Sequence, residues 1–364
     1  MQSLQDNINN FIENKVVQSY PEQLHEQIIY FYSDGKRLRP CLLLCFNNYQ
    51  NKDIAYHLAI IVETIHCLSL IIDDLPCMDN DQERRNKLTF HIKYGITDTY
   101  FFIYYMFNKL ILTLNNLETE LLPIDIIEND NKRSIISYIL DLINKNLDGL
   151  IDGQFIDLKK NNLVDNRNDF PDIYNEERNL ILQFFKNTNI TDEQSNKLNS
   201  YIELNLKKTS TLFNLSCVLG LALQFIEYDI EFLNNDVIGH KLFPKIPIII
   251  NNRRGHKIIR ENLNTMTGLE LLDRISLWSN ILGFLFQVTD DVLDQEIDII
   301  NNNANITNIL NLQNSIEIIL IGCKWLKEQL EKIEYHLHQL HLRLDIQFDN
   351  IIEIIEKIEK RIMN

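Results

Sequence analysis

The sequence predicts an all-α fold. Only 10 Gly and 7 Pro occur among 364 residues, under half of the roughly 12% that these two residues contribute to an average protein. β-Sandwiches, barrels and nucleotide-binding sheets need many tight turns, and tight turns use Gly and Pro. Apolar residues recur at helical spacing through most of the chain, and 45% of all residues are hydrophobic. These observations predict long helices packed around a sizeable core.

The N-terminal half divides at polar turns and at proline. Residues 21–33 and 40–49 have the pattern of short amphipathic helices joined by a Gly-containing turn. Asp53 is a suitable N-cap for a strongly apolar helix that ends near Asp74, since Pro76 cannot continue it. The pattern then predicts a polar loop over 79–90 and helices over 97–114 and 132–158.

The C-terminal half contains two predicted insertions. Residues 159–178 are rich in Asn and Asp and predict a surface loop, and residues 228–266 form the second insertion. Between them, Thr191 and Gln194 have the spacing of a capping box, which predicts a long helix to about residue 225. The remaining helices are predicted over 269–294, 313–333 and 347–362, with a loop over 301–305.

Composition also limits function and location. The net charge of −16 argues against nucleic-acid partners, which need a basic face. The six cysteines form no CxxC pair and lie in apolar runs, as buried reduced thiols do. The N-terminus has no apolar signal segment, and the apolar stretch at 212–226 is too short and polar to span a bilayer. We expect a cytoplasmic protein with no transmembrane segment; a plastid-like organelle is the alternative if a presequence has been removed.

Two aspartate clusters stand in or directly after apolar helices. They comprise Asp73, Asp74 and Asp79, and Asp290, Asp291 and Asp294. Like charges so close together repel one another unless a cation neutralises them, and unpaired charge beside apolar helices is costly. Either cluster alone has a structural alternative, a solvated helix end with capping aspartates. Two clusters facing one cavity would favour Mg²⁺ carried on a phosphate, because Mg²⁺ prefers hard oxygen ligands.

The basic residues are few but grouped. Lys36 and Arg39 are three residues apart, which would place them on one helical face, and Arg84 with Arg85 follows the first aspartate cluster. Each group alone is equally well explained as surface charge. Together with two metal clusters they indicate two diphosphates, one held through Mg²⁺ and one held directly by Lys and Arg.

The motifs and their order resemble one known family. They are GKRLRP at 35–40, ETIHCLSLIIDDLPCMDND at 63–81, RRNKLTFH at 84–91, GQFIDL at 153–158, Lys208-Thr209 and FQVTDDVLD at 286–294. The chain resembles the trans-prenyltransferases (polyprenyl synthases) of the isoprenoid synthase superfamily, of the geranylgeranyl or farnesyl diphosphate synthase type. The resemblance implies a single polyprenyl synthase domain over 1–364, a helical bundle around a deep central cavity.

The resemblance also implies roles for individual residues. Asp73, Asp74, Asp79, Asp290, Asp291 and Asp294 would bind two to three Mg²⁺ ions, and Arg84 and Lys208 would contact the allylic diphosphate. Isopentenyl diphosphate would be held by Lys36, Arg39, His66 and Arg85. The dipoles of Thr209, Gln154 and Gln287 would point toward the developing carbocation. The implied reaction is ionisation of the allylic diphosphate, condensation with isopentenyl diphosphate and loss of a proton, in a cavity that excludes water.

Several positions depart from the family pattern. Ile72 stands where a His is usual, Lys207 replaces the His before Lys208, and residues 295–312 contain no Lys although the family has one there. The helix at 97–110 also differs at the expected dimer interface. Two hypotheses therefore stay open. The first is an active prenyl diphosphate synthase, which would form a homodimer or a heterodimer with a related subunit. The second is a weakly active or inactive paralogue that acts as a structural or regulatory partner of another prenyl synthase subunit. A terpene cyclase is a distant third, because it would need an Asn/Asp-Ser-Glu metal motif.

Product length is predicted from the helix that precedes Asp73. Leu68, Ile65 and Ile61 lie one turn or more upstream and would form the wall of the product pocket. In the family an aromatic residue at the position of Leu68 tends to stop the chain at C15. Leu is shorter, so we expect geranylgeranyl diphosphate, with farnesyl diphosphate as the alternative if the aromatic residues of 97–107 supply a floor.

Overall fold

The structure is a computed structural model of the whole chain. It describes residues 1–47, 52–121, 130–160, 174–185, 190–227, 230–232, 248–250, 268–296, 305–339 and 344–363. Within these residues helices dominate, and the strands form two short antiparallel ladders. The predicted all-α class is confirmed.

The N-terminal half contains seven α-helices among the described residues. They are α1 (Gln2–Phe11), α2 (His25–Tyr32), α3 (Leu38–Cys45), α4 (Lys52–Asp73), α5 (Phe90–Tyr94), α6 (Ile96–Leu121) and α7 (Asp130–Lys160). A π-helical turn (Ile12–Val16) and two 3₁₀ turns (Val17–Ser19 and Glu22–Leu24) join α1 to α2. The polar loop predicted over 79–90 holds a small hairpin of β1 (Glu83–Arg84) and β2 (Lys87–Leu88).

The C-terminal half contains seven more helices in the part that the structure describes. They are α8 (Asn175–Phe184), α9 (Asp192–Asn205), α10 (Thr211–Glu227), α11 (Gly268–Leu293), α12 (Ile306–Ile309), α13 (Leu312–Gln339) and α14 (Phe348–Met363). The predicted capping box of Thr191 and Gln194 is present at the start of α9. The single helix predicted to about residue 225 is instead divided by a π-helical turn, Leu206–Ser210.

The two predicted insertions are only partly described. Residues 175–178 of the first are the first turn of α8 rather than loop, because Asn175 and the following glutamates suit a helix N-terminus. Residues 161–173 lie outside the described residues. Of the second insertion only β3 (Ile230–Phe232) and β4 (Ile248–Ile250) are described, paired antiparallel.

The centre of the bundle is α10. It packs against α3, α7 and α11, while α13 and α14 cover the far side of α11. Gly220 allows α3 to approach closely, because a Cβ added there would lie 2.4 Å from the carbonyl oxygen of Leu43. The largest fully buried side chain, Trp278, donates from Nε1 to the carbonyl of Leu326 at 2.9 Å and ties α11 to α13. This packing fixes α11, and with it the second aspartate cluster.

One described helix has the length and composition of a membrane span. It is α4, over Asp53–Asp73, with a mean hydropathy of 1.8, and not the apolar stretch at 212–226. In the structure 67% of this window is buried inside the bundle. Its apolar surface is therefore covered mainly by the protein itself, as in a core helix.

The six cysteines are all unpaired, as predicted. Five are buried, and burial raises the pKa of the Cys41 and Cys45 thiols to about 12. Cys77 differs from the prediction, because the loop after Pro76 carries it to the surface.

Candidate active site

The first aspartate cluster lies where α4 ends. Asp73 is the last residue of the helix and Asp74 follows it, and both are buried, whereas Asp79 is exposed. The loop folds back on the helix end, with the amide of Asp79 donating to the carbonyl of Asp73 at 2.9 Å. Burial raises the pKa of Asp73 to about 6, an effect that the nearby ammonium of Lys208 opposes. The fold thus holds carboxylates in a poorly solvated place that favours a bound cation.

Two cations already contact this cluster. Arg84 donates from Nε to Oδ1 of Asp74 at 2.6 Å and from Nη2 to Oδ2 of Asp81 at 3.1 Å. Lys208 Nζ lies 2.8 Å from Asp157 and 3.7 Å from Asp73. Arg84 of the β-hairpin and Lys208 of the π-helical turn, both predicted for the allylic diphosphate, therefore meet the first cluster at the end of α4.

The π-helical turn brings Lys208 and Thr209 into the site. It approaches α7 at Gly153, where an added Cβ would lie only 2.8 Å from the backbone nitrogen of Lys208. Thr209 donates from Oγ1 to Oε1 of Gln287 on α11 at 2.9 Å. Gln154 follows Gly153 on α7 and is partly exposed. A π-helical turn between two α-helices often occurs at a functional site.

The second aspartate cluster lies at the end of α11, and its three members have different surroundings. Asp290 is partly exposed and forms an ion pair with Arg361 of α14, at 2.6 Å between Oδ1 and Nη2. Asp291 is buried, and its carboxylate accepts hydrogen bonds from Tyr201 at 2.7 Å, Gln287 at 2.8 Å and the amide of residue 306 at 2.9 Å. Asp294 is exposed beyond the helix end. Asp291 thus ties α11 to its neighbours; its predicted metal contact stays a prediction.

Two of the basic groups predicted for the second diphosphate, Arg39 and Arg85, lie near enough to His66 to influence its charge. Arg39 is partly buried and lies over the ring of Phe213, with Cζ 4.8 Å from the ring centroid. Burial lowers its pKa to about 10, while Glu63 and Asp290 act in the opposite direction. Burial, and then the positive charges of Arg39 and Arg85, hold the pKa of His66 well below its ordinary value. His66 is therefore neutral near pH 7 and can offer one N–H donor.

Lys36 and Arg39 do not share a helical face, contrary to the expectation from their spacing. Helix α3 begins only at Leu38, and Lys36 precedes it, exposed. Between them Arg37 has a left-handed backbone conformation, with φ of 50°. The physical reason is the burial of the Arg37 side chain, which contacts Glu63 at 2.7 Å and thereby turns the chain before the helix starts.

Arg37, Glu63 and Arg361 are site residues that sequence reasoning missed. A glutamate inside the apolar helix α4 was a usable signal, because a buried carboxylate needs a partner. Arg361 gave no local signal, since an arginine in the last turn of a terminal amphipathic helix is ordinary.

The residues predicted to control product length are buried on α4. Leu68 is 1% and Ile65 is 3% exposed. Ile61, further upstream, lines a cavity of about 360 Å³ between α4 and α6, together with residues such as Thr64 and Leu110. A smaller cavity, of about 80 Å³, lies beside Arg84, Arg85 and Asp74.

The donor set fits Mg²⁺ held jointly with phosphate. Among the described residues no three carboxylate, imidazole or thiol groups form a complete metal cage. Mg²⁺ is usually bound through one or two carboxylates plus substrate phosphates and waters. The buried carboxylates of Asp73 and Asp74 and the buried Nε of Arg39, which has no hydrogen-bond partner within the part of the chain that the structure describes, offer the two halves of such a site.

Comparison with known proteins identifies relatives of this chain. The family model described as polyprenyl synthetase matches residues 21–235. A chloroplastic geranylgeranyl pyrophosphate synthase of Capsicum annuum is 43% identical over 91 residues, 24% of this chain and 25% of the relative. A heterodimeric geranylgeranyl pyrophosphate synthase large subunit 2 of Arabidopsis thaliana is 42% identical over 98 residues, 26% of each chain. The chain thus matches only about a quarter of the length of these curated relatives.

Solved structures share the whole fold at lower sequence identity. A geranyltransferase from Legionella pneumophila superposes with a TM-score of 0.63 at 18% identity, covering 99% of this chain and 95% of its own. A geranyltransferase from Helicobacter pylori, complexed with magnesium and isoprenyl diphosphate, gives 0.56 at 20% identity, covering 98% and 97%. At such identities the likeness shows a common fold.

Proposed function

The chain belongs to the polyprenyl synthetase family, and on that basis we propose that it is a short-chain prenyl diphosphate synthase. It would condense isopentenyl diphosphate with an allylic diphosphate. The observation that carries the proposal is the position of Lys208 and Thr209. Lys208 contacts Asp73 of the first aspartate cluster, and Thr209 contacts Gln287, one turn before the second cluster. These two contacts support a site in which both clusters act on one substrate.

The allylic diphosphate would bind between the two clusters. The ligands proposed for two to three Mg²⁺ ions are Asp73, Asp74, Asp79, Asp290, Asp291 and Asp294. When bound, the ions neutralise the diphosphate and stabilise it as a leaving group. Lys208 and Arg84 would contact this diphosphate; the support is that each already binds a carboxylate of the first cluster. Positive charge placed where negative charge develops lowers the barrier to ionisation.

Isopentenyl diphosphate would bind on the basic side of the cavity. Lys36, Arg39 and Arg85 would supply positive charge, and the uncharged imidazole of His66 would donate one hydrogen bond to the diphosphate. The oxygens of Thr209, Gln287 and Gln154 would face the developing carbocation. Their dipoles stabilise positive charge without forming a bond to the cation. Buried walls around these groups exclude water, which would otherwise quench the cation.

We propose geranylgeranyl diphosphate as the main product, with farnesyl diphosphate as the runner-up. Ile61 lies twelve residues before Asp73, roughly 18 Å along the helix. An isoprene repeat adds four backbone bonds, roughly 5 Å from C–C bonds of about 1.5 Å. A chain of three to four units that passes Leu68 and Ile65 would therefore reach the 360 Å³ cavity at Ile61. This cavity supports a product longer than C15.

The outer face of α6 supports a dimer. It exposes large apolar side chains, with Phe101 71% and Tyr104 70% exposed. A row of such residues on one helix is typical of a protein interface. The partner would be a second copy of this chain or a related subunit. The second possibility is supported by the Arabidopsis relative, which is named as a subunit of a heterodimeric enzyme. Sedimentation of the purified chain, alone and after Phe101→Glu, tests self-association.

Location is a separate proposal. We keep the cytoplasm as the expected site, and the chloroplastic and mitochondrial names of several relatives support an organelle as the alternative. A fluorescent fusion of the chain, expressed in its own cells, decides between them.

An initial-rate assay tests the proposed activity. Purified protein with Mg²⁺, isopentenyl diphosphate and an allylic starter should release diphosphate. Asp73→Asn and Asp290→Asn should lower kcat at least about 100-fold, since each removes a charge that acts mainly on the leaving group. Asp98→Asn, an exposed carboxylate on α6, is the matched control. A wild type that is inactive alone but alters the product of a related subunit would favour the partner hypothesis.

A further inference from the structure

The β-hairpin that carries Arg84 and Arg85 makes little apolar contact with the bundle. Of the residues in its two strands only Arg84 is partly buried, and the others are exposed. A cavity of about 80 Å³ lies between the hairpin, α2 and α4. Side-chain packing therefore does not fix the position of the hairpin, which depends on polar contacts at its edges.

The tip of the hairpin has a backbone conformation that needs support. Arg85 and Asn86 form a two-residue turn and are both left-handed, with φ of 55° and 62°. Such a turn suits Asn, but an Arg with φ above zero is uncommon because of its Cβ. Asp34, in the turn before α3, is also left-handed, with φ of 57°. Residues in such conformations persist where the surrounding contacts hold them.

Asp34 contacts the hairpin on both sides of this tip. Its backbone carbonyl accepts a hydrogen bond from Nη1 of Arg85 at 3.3 Å. Its carboxylate forms an ion pair with the ammonium of Lys87. Asp34 lies only two residues before Lys36. The contact therefore brings Arg85 next to the turn that carries Lys36.

Tyr30 holds the second strand of the hairpin to α2. Its hydroxyl donates to the carbonyl of Leu88 at 2.6 Å. Its ring is held in turn by Lys93, whose Nζ lies 3.9 Å from the ring centroid, and by the ring of Tyr94 at 5.5 Å. Cation–π and edge-to-face contacts of this kind fix the orientation of an aromatic side chain. The phenol is therefore already oriented for its bond to the hairpin.

We propose that Tyr30 and Asp34 are positioning residues for isopentenyl diphosphate. They hold the hairpin against α2 and the turn before α3, so that Arg85 and Lys36 can contact one diphosphate. This inference rests on the proposed function, because it takes Arg85 and Lys36 as ligands of that diphosphate.

The effect should be selective for one substrate. Arg84, on the first strand, has its own contacts with Asp74 at 2.6 Å and with Asp81 at 3.1 Å. These contacts do not involve Tyr30 or Asp34. Loss of the two positioning residues should therefore impair the binding of isopentenyl diphosphate and leave the allylic diphosphate little affected.

Calorimetric binding of isopentenyl diphosphate, without Mg²⁺ or allylic substrate, tests the proposal without turnover. The double variant Tyr30→Phe/Asp34→Asn removes one hydroxyl and one charge at nearly constant volume. It should weaken binding about fivefold or more, because the apparent affinity falls with the fraction of molecules whose hairpin is in place. The matched control is Tyr335→Phe/Glu193→Gln, an exposed phenol and an exposed carboxylate paired with Lys197.

Hydrogen exchange measures the position of the hairpin directly. The amide of Thr89 closes the hairpin by donating to the carbonyl of Gln82 at 2.9 Å. Mass spectrometry of the peptide over 82–89 should show about fivefold faster exchange or more in the double variant. In a Lys87→Met background, Asp34→Asn should have no further effect on exchange or binding, since its ion pair is already absent.

Kinetics distinguish positioning from a general loss of structure. The double variant should raise KM for isopentenyl diphosphate about fivefold or more, with kcat and KM for the allylic substrate within about twofold of the wild type. Binding of isopentenyl diphosphate within twofold of the wild type, or unchanged exchange over 82–89, would overturn the proposal. If the wild type does not bind isopentenyl diphosphate, the proposed function fails. Faster exchange in the double variant would then still show that the two residues fix the hairpin.

Discussion

Replacing Glu63 by Gln would leave the guanidinium of Arg37 buried beside a neutral side chain. Both side chains are almost inaccessible, with Arg37 5% and Glu63 3% exposed, and their charged atoms lie 2.7 Å apart. Arg37 also donates to Oδ1 of Asn9 at 3.0 Å and to the carbonyl of Tyr32. The amide of Gln can still accept one hydrogen bond, so the substitution removes chiefly the charge.

The expected loss of stability is large. Breaking a buried ion pair by removing one partner costs about 3–5 kcal/mol, because the other charge stays buried without compensation. Exposed pairs are worth far less, about 0.3–0.5 kcal/mol for partners four residues apart on a helix. The pair Lys360–Glu356, whose side chains are 69% and 43% exposed, is such a case.

Urea unfolding measures the difference in five variants, which are Glu63→Gln, Glu356→Gln, the single variants Arg37→Met and Glu63→Leu, and the double variant that combines the last two. Glu63→Gln should lower the free energy of unfolding by about 3 kcal/mol or more, and Glu356→Gln should be close to the wild type. The double variant Arg37→Met/Glu63→Leu should lose less than the two single losses added together, because no unpaired charge remains. A loss below about 1 kcal/mol for Glu63→Gln would refute the reasoning, since the pair would then be effectively solvated.

Three further predictions concern the site. Gly153→Ala should lower kcat about tenfold or more, because the added methyl group would push Lys208 away from α7. Gly149→Ala is the control and should leave kcat unchanged, since the nearest atom to its added Cβ would be 3.4 Å away. An unchanged kcat in both variants would contradict this prediction. The low pKa of His66 means that the unfolded chain takes up the proton first, near pH 6.5, so stability should fall as pH decreases below that value. His66→Gln should flatten this dependence in unfolding measured between about pH 7.5 and 5.5, and an unaltered slope would exclude His66 as its source. Leu68→Phe should shift the main product from C20 to C15, as measured by mass spectrometry. If the product does not change, another residue closes the end of the product pocket, and the aromatic residues of α6 are the next candidates.

The first aspartate cluster shows how much of the site local sequence could predict. An apolar stretch followed by Pro76 predicts where α4 ends, whereas the helix begins at Lys52, so the prediction of Asp53 as the N-cap is wrong and Asp53 lies in the first turn instead. The position of Asp73 at the helix end follows from those local rules. The same holds for the start of α9, where the capping box needs only residues three apart.

Lys36 and Arg39 show where local reasoning fails. Their spacing would place them on one face if the helix began before Lys36. A tertiary contact decides otherwise, because burial of Arg37 against Glu63 requires a left-handed residue and delays α3 to Leu38. Gly35 tolerates this arrangement, since an added Cβ there would collide with the Arg37 guanidinium.

Arg361 illustrates a second kind of failure. The pattern at 347–362 predicts an amphipathic helix, and four isoleucines of α14 are indeed buried: Ile351, Ile354, Ile355 and Ile358. Such a pattern reveals which face is buried but not which helix covers it. The contact with Asp290 depends on how α14 packs on α11, 71 residues earlier in the chain.

Isotope labelling tests the central claim most directly. Labelled isopentenyl diphosphate, an allylic diphosphate and Mg²⁺ are incubated with the protein, and the prenyl products are identified by mass spectrometry. We expect label in allylic diphosphates extended by whole five-carbon units, with one diphosphate released for each unit added. Release of diphosphate from the allylic substrate with no labelled, extended product would contradict the proposed function. The site would then ionise the allylic diphosphate without joining it to isopentenyl diphosphate.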